Sequence, residues 1–332
     1  MLSPNSRFHG SAFDASYATL VPRAQLPRAN GMMQTVWSLS GLVGPAVAAL
    51  LIGLPALLRQ HSELPTWMSG LSNGVPFAFL IDGLSFLVAF VILSRLRVPS
   101  PLQASTEDQP RRFADDMKFG WQFIGARRPL LYLLLTFAAC NFLTSCIGIL
   151  EPLLAKFTLA PDWQAHGGTL QGTLAALTIA GSAGGVVGGL IISAWGGLKK
   201  NRVLGVLVPM VAMGLAEAAL GLSRQVIWAV AALVFFGLTV PFMNAHSQSI
   251  WQSQVPPELQ GRVFSVRRLI AQFTAPASTA LTGVLAAKYA PSGIALTAGL
   301  LLAVVATLQL FNPALRRVED ANLAAQPSGE MA

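Results

Sequence analysis

Residues 129–150 read PLLYLLLTFAACNFLTSCIGIL, and this uncharged stretch decides the class of fold. As a helix, a stretch of this length crosses the ~30 Å hydrocarbon core of a lipid bilayer. Further uncharged stretches of spanning length cover 29–58, 163–198, 225–257, 269–287 and 289–315. Because 53% of the 332 residues are hydrophobic and only 11% are charged, the composition also favours a membrane protein over a pair of soluble domains.

The apolar segments predict an all-α polytopic membrane protein with eight spans. We place the spans at 30–58, 75–95, 129–158, 169–195, 203–222, 226–250, 264–287 and 291–311. The first twenty residues contain Pro4, Arg7, His9 and Asp14 and no apolar core, so a secretory signal is not evident. Insertion into the membrane is therefore expected to depend on the spans themselves.

The formal net charge of +8 is explained by where the cations lie. When the connections between spans are assigned to alternate sides, seventeen Lys and Arg residues fall on one side and only four on the other. Loops with an excess of cations face the cytoplasm. We therefore expect both termini on the cytoplasmic side of the cell inner membrane. The basic balance is topological, so nucleic acid is not an expected partner.

A short frame occurs twice in the chain. Residues 20–31 read LVPRAQLPRANG and residues 255–265 read VPPELQGRVFS; each copy has Val-Pro, five residues and an arginine, which is Arg28 or Arg262. Two spans follow each copy, but four spans separate the polar segment 98–128 from the second copy and only twenty residues precede the first. If the halves are duplicates of six helices each, three helices and most of a fourth are expected to be missing from the N-terminus.

The polar segment 98–128 connects the two halves. Its first part is rich in Pro, Ser, Gln and mixed charge, as in a flexible linker. In the stretch FADDMKFGWQFI, Phe113, Met117, Trp121 and Ile124 recur at helical spacing. We expect a cytoplasmic surface helix that joins the two halves, and we favour this over a partner-binding role.

Parallel six-helix repeats with a long cytoplasmic link are one known transporter architecture. The stretches LVPRAQLPRANG, GLVGPAVAALL, IDGLSFLVAF, AWGGLKKNRV and VPPELQGRVFSVRR make the sequence resemble the major facilitator superfamily. Within it, the chain is similar to the drug:proton antiporter branch with macrolide-efflux and enterobactin-exporter-like proteins. The resemblance covers about 13–317 and implies a major facilitator fold lacking about the first three to four of twelve transmembrane helices. It divides the chain into the remnant of an N-terminal bundle (1–97), a cytoplasmic linker (98–128), a C-terminal six-helix bundle (129–315) and a cytoplasmic tail (316–332).

The resemblance implies a transmembrane efflux transporter of small amphiphilic compounds, drugs or siderophores. It further implies proton-coupled antiport by alternating access, so that the expected partners are the lipid bilayer, a small-molecule substrate and protons. The alternative is an incomplete chain, or one with a misassigned start, that does not transport and acts at most as a membrane scaffold. The sequence alone leaves both open.

Gly44 and Pro45 in the first span resemble the antiporter signature of this branch. The usual form is a Gly-Pro followed two residues later by a Gly pair, whereas this chain has Ala48 and Ala49 at those positions. Small residues allow helices to approach closely, and Pro45 removes a backbone hydrogen bond and can kink the span. The alternative is a kink of the kind common in membrane helices.

Two glycine-rich stretches follow in the second half. GSAGGVVGG, residues 181–189, has three pairs of glycines four residues apart, which favours tight helix packing and, as a sharper hypothesis, a sliding contact during transport. GGLKKNR, residues 196–202, resembles a basic loop motif of the superfamily, which implies gating contacts by Lys199, Lys200 and Arg202. Anchoring of these cations at the cytoplasmic face is an equally good explanation.

Arg28 and Arg262 admit the same two interpretations. They either direct topology by their charge, or they pin the matching loops to carboxylates or helix ends in one conformer. Their equivalent positions in the repeated frame favour a shared structural role.

Ionisable and polar groups at membrane depth are candidates for a substrate or proton pathway, because such groups are expensive there and are often functional. These candidates are Asp82, Asn141, Glu151, Glu217 and Asn244. Glu217 is the best intramembrane carboxylate, while Asp82 and Glu151 are expected nearer an interface. A structural hydrogen-bonding role is an equal alternative for each. His246 is expected to be a packed or interfacial histidine rather than a ligand.

No catalytic constellation is found in the sequence. GLSNG, residues 70–74, fits G-x-S-x-G, but it has no preceding strand and lies directly before a span. Cys140 and Cys146 lie six residues apart, on different faces of one helix, so that neither a disulfide nor a metal site is expected. The sequence predicts no enzyme activity and no cofactor.

Overall fold

The computed structural model describes residues 21–22, 25–61, 74–95 and 113–319, and the regular structure in these ranges is helical throughout. The α-helices are α1 Leu26–His61, α2 Val75–Arg95, α3 Phe113–Ala126, α4 Arg128–Thr144, α5 Ile147–Leu153, α6 Ala160–Ala165, α7 Leu170–Trp195, α8 Arg202–Leu222, α9 Val226–Gln254, α10 Pro257–Ala286, α11 Pro291–Leu310 and α12 Pro313–Arg316. A π-helical segment, Leu154–Thr158, follows α5. The predicted all-α class is confirmed.

Eight helical stretches of the described chain are long and apolar enough to cross a membrane. They are Leu26–Ile52, Val75–Ile92, Arg128–Thr158, Leu170–Trp195, Arg202–Leu222, Val226–Gln254, Leu259–Ala286 and Pro291–Leu310. The eight spans expected from the apolar segments are matched by these eight helices. The third span is interrupted, because Pro152 lies inside α5 and the π-helical segment follows it directly.

The expectation that both copies of the Val-Pro frame are loops is wrong for the part of each copy that begins a helix. Helix α1 begins at Leu26, inside the first copy, and α10 begins at Pro257, two residues into the second. Proline explains both starts, since Pro27 and Pro257 lie in the first turn, where the missing N–H is not needed. Arg28 and Arg262 are consequently helix residues, which gives their side chains fixed directions.

The chain forms two compact units, and the division between them falls inside α1. Leu39–Ser100 forms one unit, and Met1–Ser38 with Pro101–Ala332 forms the other. In the smaller unit, the backbone N–H of Gly74 donates to the Ile52 carbonyl at 2.9 Å, and Asp82 lies exposed on α2. Gly44 is also in this unit and has open space around it, since an added Cβ would meet no atom within 4 Å.

The larger unit is held together by close helix contacts at glycines. Gly184 and Gly188 of α7 lie so close to the α9 backbone that an added Cβ would overlap the Val234 and Leu238 carbonyls. Gly237 of α9 meets the Gly181 carbonyl in the same way. The tight packing predicted from GSAGGVVGG is confirmed, because backbone-to-backbone contact requires glycine at these positions.

Helix α3, predicted from residues 113–124, is present and packs on α10. Its Phe123 and Ile124 are buried in the hydrophobic core. A Cβ at Gly120 would lie 2.9 Å from the Arg262 carbonyl oxygen. The connecting segment therefore ends in a helix that belongs to the larger unit's core.

Candidate functional site

The first part of α1 presents one polar and small-residue face to α7 and α9. We call this face, which consists of Asn30, Gly31, Gln34, Thr35 and Ser38, the α1 contact face. The spacing of three and four residues places its members on one side of the helix. The face lies wholly within the larger compact unit.

Side-chain hydrogen bonds join the α1 contact face to α9. The Asn30 amide Nδ2 donates to Gln252 Oε1 at 2.9 Å and to Ser249 Oγ at 3.3 Å, and all three side chains are buried. The Asn244 amide Nδ2 donates to Gln34 Oε1 at 3.3 Å. The predicted pathway residue Asn244 is thus part of a helix-to-helix contact.

Glycines of α7 meet the same face. A Cβ at Gly185 would lie 3.1 Å from Ser38 Cβ and 2.6 Å from its hydroxyl oxygen. At Gly189 an added Cβ would lie 2.8 Å from the Thr35 backbone, at both its Cα and its N atom. The glycines of the GSAGGVVGG stretch therefore serve two neighbours, since Gly184 and Gly188 contact α9 while Gly185 and Gly189 contact α1.

Arg28 lies one turn before the contact face and binds the C-terminal end of α7. Its Nε donates to the Ser193 carbonyl at 2.7 Å, and its Nη2 donates to the Ala194 carbonyl at 2.8 Å. The last carbonyls of a helix have no partner within the helix and carry its partial negative charge. Arg28 supplies two donors and a positive charge at that point.

The GGLKKNR turn that follows α7 is held by His246. Nε2 of His246 accepts a hydrogen bond from the Leu198 backbone N–H at 2.9 Å, and Nδ1 lies 2.7 Å from the Phe242 carbonyl oxygen. These two partners require the neutral tautomer with the proton on Nδ1. His246 is 1% exposed. The expectation of a packed histidine is confirmed.

The turn needs backbone conformations that glycine adopts readily. Gly196 has φ of 85° and Gly197 has φ of 71°. Lys199 and Lys200 are exposed at the tip of the turn. Arg202, at the start of α8, donates its backbone N–H to the Glu319 carboxylate at 2.8 Å and places its guanidinium Nε 3.6 Å from the same carboxylate.

Arg262 pairs with a carboxylate. Its Nε lies 2.9 Å from Asp116 Oδ1 of α3, and both side chains are about one-third exposed. Its guanidinium also lies 5.6 Å from the Phe119 ring centroid. Arg28 and Arg262 thus have the two kinds of partner that the pinning interpretation requires, a helix end and a carboxylate.

Glu217 is the fully buried carboxyl of the described chain, with 0% exposure. The Cys146 thiol donates to its Oε1 at 3.2 Å. Its Oε2 has no hydrogen-bond partner among the described residues. A carboxyl in this position can hold a proton on the free oxygen.

Two other intramembrane candidates of the larger unit, Glu151 and Asn141, have hydrogen-bond partners other than Glu217. Glu151 accepts a hydrogen bond from the Thr178 hydroxyl at 3.0 Å, and the Asn141 amide donates to the Ala271 carbonyl at 3.2 Å. Asp82 belongs to the other compact unit. The larger unit therefore offers separate polar contacts along its helices.

The family model of the Major Facilitator Superfamily matches residues 10–279 of the chain. The chain belongs to the major facilitator superfamily. It is 27% identical to Macrolide efflux protein A of Streptococcus pyogenes over 310 residues, which are 92% of this chain and 69% of that protein. It is 28% identical to Macrolide efflux protein A of Enterococcus faecalis over 280 residues, which are 82% of this chain and 77% of that protein.

As a member of the major facilitator superfamily, the chain is a multi-pass membrane transporter and not an enzyme. Its partners are the lipid bilayer and a small molecule. Transporters of this kind work by movement of one group of helices against another. A contact between helices, such as the α1 contact face, is therefore a candidate for a moving part.

Sequence reasoning missed most of the α1 contact face. Asn30 and Gln34 lie inside an otherwise apolar span, and Gly31, Thr35 and Ser38 lie beside them at helical spacing. A stripe of polar and small residues in a membrane helix indicates a helix-packing face, so the pattern could have found it. It could not have identified Ser249 and Gln252 as partners, since both are more than 200 residues away.

Proposed function

We propose that this chain is an efflux transporter that moves small amphiphilic compounds, drugs or siderophores, out across the cell inner membrane by alternating access. The GGLKKNR turn and both termini face the cytoplasm in this proposal, and the α1 contact face is the gate at that end. The observation that carries the proposal is the contact of this face with α7 and α9.

The chemistry of the contact face suits a reversible gate. Its members are small or polar, so separation from α7 and α9 uncovers little large apolar surface. Water can replace the amide partners of Asn30 and Gln34 when the helices part. The two bonds from Arg28 to the end of α7 add an electrostatic hold that also needs no apolar burial.

The proposed substrate class rests on the relatives. Two proteins that match most of the chain are named macrolide efflux proteins. We therefore propose a macrolide as the first compound to test, with siderophores as the second class.

We propose Glu217 as the carboxyl that binds the coupling proton. Its side chain is fully buried, one oxygen accepts from the Cys146 thiol, and the other has no partner among the described residues. An ionised carboxylate in that position would be buried without a cationic partner among the described residues. Release of the proton is therefore expected to need a conformation that admits water.

The gate is tested by cross-linking α1 to α7. In a background with Cys140 and Cys146 replaced by alanine, Ser38→Cys with Gly185→Cys places two Cβ atoms about 3.1 Å apart before adjustment. This is close to the separation of a disulfide. Oxidation should abolish macrolide transport in vesicles, and a reducing agent should restore it.

The matched control is Ser38→Cys with Gly181→Cys, because an added Cβ at Gly181 meets no atom within 4 Å. This pair should neither cross-link nor lose activity on oxidation. Full transport by the oxidised Ser38/Gly185 pair, with the cross-link verified by mass spectrometry, would exclude the gate.

Proton coupling is tested with Glu217→Gln. This variant should lose macrolide accumulation driven by a pH gradient in inverted vesicles while it retains exchange of substrate across the membrane, since exchange needs no net proton movement. Glu151→Gln is the control, because the carboxyl of Glu151 already has a hydroxyl partner. Undiminished pH-driven accumulation by Glu217→Gln would remove Glu217 from the mechanism.

A further inference from the structure

A cavity of about 500 Å³ lies between α4, α10 and α11, away from the α1 contact face. It reaches the turn between α10 and α11, which is the end of these helices opposite Arg262. Its walls are mainly apolar and include Phe142, Leu143, Leu285 and Ile294. Cavities of this size and character hold drug-sized molecules in other proteins.

Two hydroxyl groups on one wall of the cavity make no hydrogen bond to the residues that the structure describes. Ser278 and Thr282 lie one turn apart on α10, line the cavity, and are 2% and 4% exposed. Helix hydroxyls commonly donate to the carbonyl one turn earlier, as Thr297 does to Gly293 at 2.8 Å on the facing wall. Neither Ser278 nor Thr282 makes a hydrogen bond to a described residue, so both donors are free for an occupant.

The wall formed by the end of α4 and Cys146 has no charged lining residue. Cys146 lines the cavity there, and its thiol is committed to Glu217, whose carboxyl is fully buried behind it. The carboxyl does not line the cavity. The walls therefore suit an uncharged molecule better than a cation.

Exposed apolar side chains of membrane-spanning helices border the cavity. Leu281 and Leu301 lie on the rim in membrane-spanning helices, and both are exposed. Tyr289 closes one end beside Lys288, as amphipathic side chains do at the level of lipid headgroups. A molecule dissolved in the bilayer can reach the cavity from the side.

We propose that this cavity binds an uncharged lipophilic molecule with an accepting oxygen, such as a ketone, an ester or an ether, taken directly from the bilayer. The oxygen accepts from Ser278 and Thr282, and the body of the molecule fills the apolar space against α4 and α11. A lipid acyl chain fits less well, because it leaves both buried hydroxyls without an acceptor. The site goes beyond the proposed transport function, since binding here needs no movement of α1.

Binding is tested on the purified full chain in phosphatidylcholine nanodiscs with prodan, a lipophilic naphthalene ketone. Its emission moves to longer wavelength when its carbonyl accepts a hydrogen bond. The key variant is Gly293→Phe, because Gly293 lines the cavity and an added Cβ meets no atom within 4 Å. Saturable binding of prodan should fall by more than tenfold in this variant.

Gly283→Phe is the matched control. Gly283 has the same open surroundings and does not line the cavity, so this variant should bind prodan as the unchanged chain does. Ser278→Ala with Thr282→Val should weaken binding by about tenfold and shift the bound emission to shorter wavelength, because two hydrogen bonds of ordinary strength are lost.

The two cysteines supply a second measurement. With Cys140 replaced by alanine, prodan should slow the modification of Cys146 by N-ethylmaleimide. With Cys146 replaced instead, prodan should not affect Cys140, which is buried against the sulfur atoms of Met213 and Met243 at 3.9 Å. Equal prodan binding by Gly293→Phe and the unchanged chain, or equal loss in both phenylalanine variants, would overturn the proposal. Displacement of prodan only by lipids, with quenching by brominated acyl chains, would assign the cavity to an acyl chain and also overturn it.

Discussion

Arg28 and Arg262 occupy the same position in the two copies of the Val-Pro frame, yet their side chains bind different partners. Arg28 donates to the Ser193 and Ala194 carbonyls in the last turn of α7, whereas Arg262 pairs with the Asp116 carboxylate of α3. Around Arg28, α1 contacts α7 and α9 through amides and glycines, while around Arg262 the contact is an aromatic and apolar core. Arginines at equivalent positions of a repeated frame can therefore have different partners, and the partner decides which contact is lost when the arginine is replaced.

Replacement of a glycine is expected to give the largest difference in transport between the two regions. Gly189→Val should reduce macrolide transport by at least about tenfold, because an added side chain meets the Thr35 backbone and pushes α1 away from α7. Gly261→Val in the second copy should have little effect, since an added Cβ there meets no atom within 4 Å. Transport by both variants in vesicles, normalised to protein level, checks this, and full activity of Gly189→Val would contradict it.

A smaller effect is expected at the arginines themselves. Arg28→Ala should reduce transport by about tenfold, since two charge-assisted hydrogen bonds are lost. The transport rate of Arg28→Lys should lie between those of Arg28→Ala and the unchanged chain, because a single ammonium cannot reproduce the planar fork of donors. Arg262→Ala should reduce transport only severalfold. The comparison fails if Arg262→Ala is as damaging as Arg28→Ala.

The ion pair of the second copy should add little to stability. Arg262 and Asp116 are both partly exposed, and such pairs contribute about 0.2–1 kcal/mol. A double-mutant cycle with Arg262→Ala and Asp116→Ala, followed by thermal unfolding in detergent, measures the coupling free energy. A coupling well above 1 kcal/mol would show that the pair is more strongly desolvated than its exposure indicates.

The smallest effect is expected at the tip of the GGLKKNR turn. Lys199→Ala and Lys200→Ala should each change the free energy of unfolding by less than about 0.5 kcal/mol, because both side chains are exposed. Replacement of His246 by alanine is the contrast, since its ring holds the Leu198 backbone and fills the space beside Gly205. Thermal unfolding of the three variants should show a larger loss of stability for the histidine variant than for either lysine variant.

Sequence reasoning succeeded where the signal is local. Apolar segments of spanning length are made of consecutive residues, so all eight candidate spans could be predicted. The glycine spacing of 181–189 predicted close packing for the same reason.

The partners could not be predicted in the same way. Arg28 reaches carbonyls 165 and 166 residues away, and Asn30 reaches Gln252 across 222 residues. The helix starts inside the two Val-Pro frames were also missed, although proline is favoured in the first helical turn.

By itself, the sequence determined that eight stretches of the described chain are long and apolar enough to cross a membrane, because length and apolarity are properties of consecutive residues. Only the tertiary structure decided that Cys146 faces Glu217 and that α1 contacts α7 and α9. It also decided that the hydroxyl-bearing residues Ser278 and Thr282 line a cavity. Each of these depends on how helices distant in sequence are turned towards one another, and that rotation is set by packing of the whole unit.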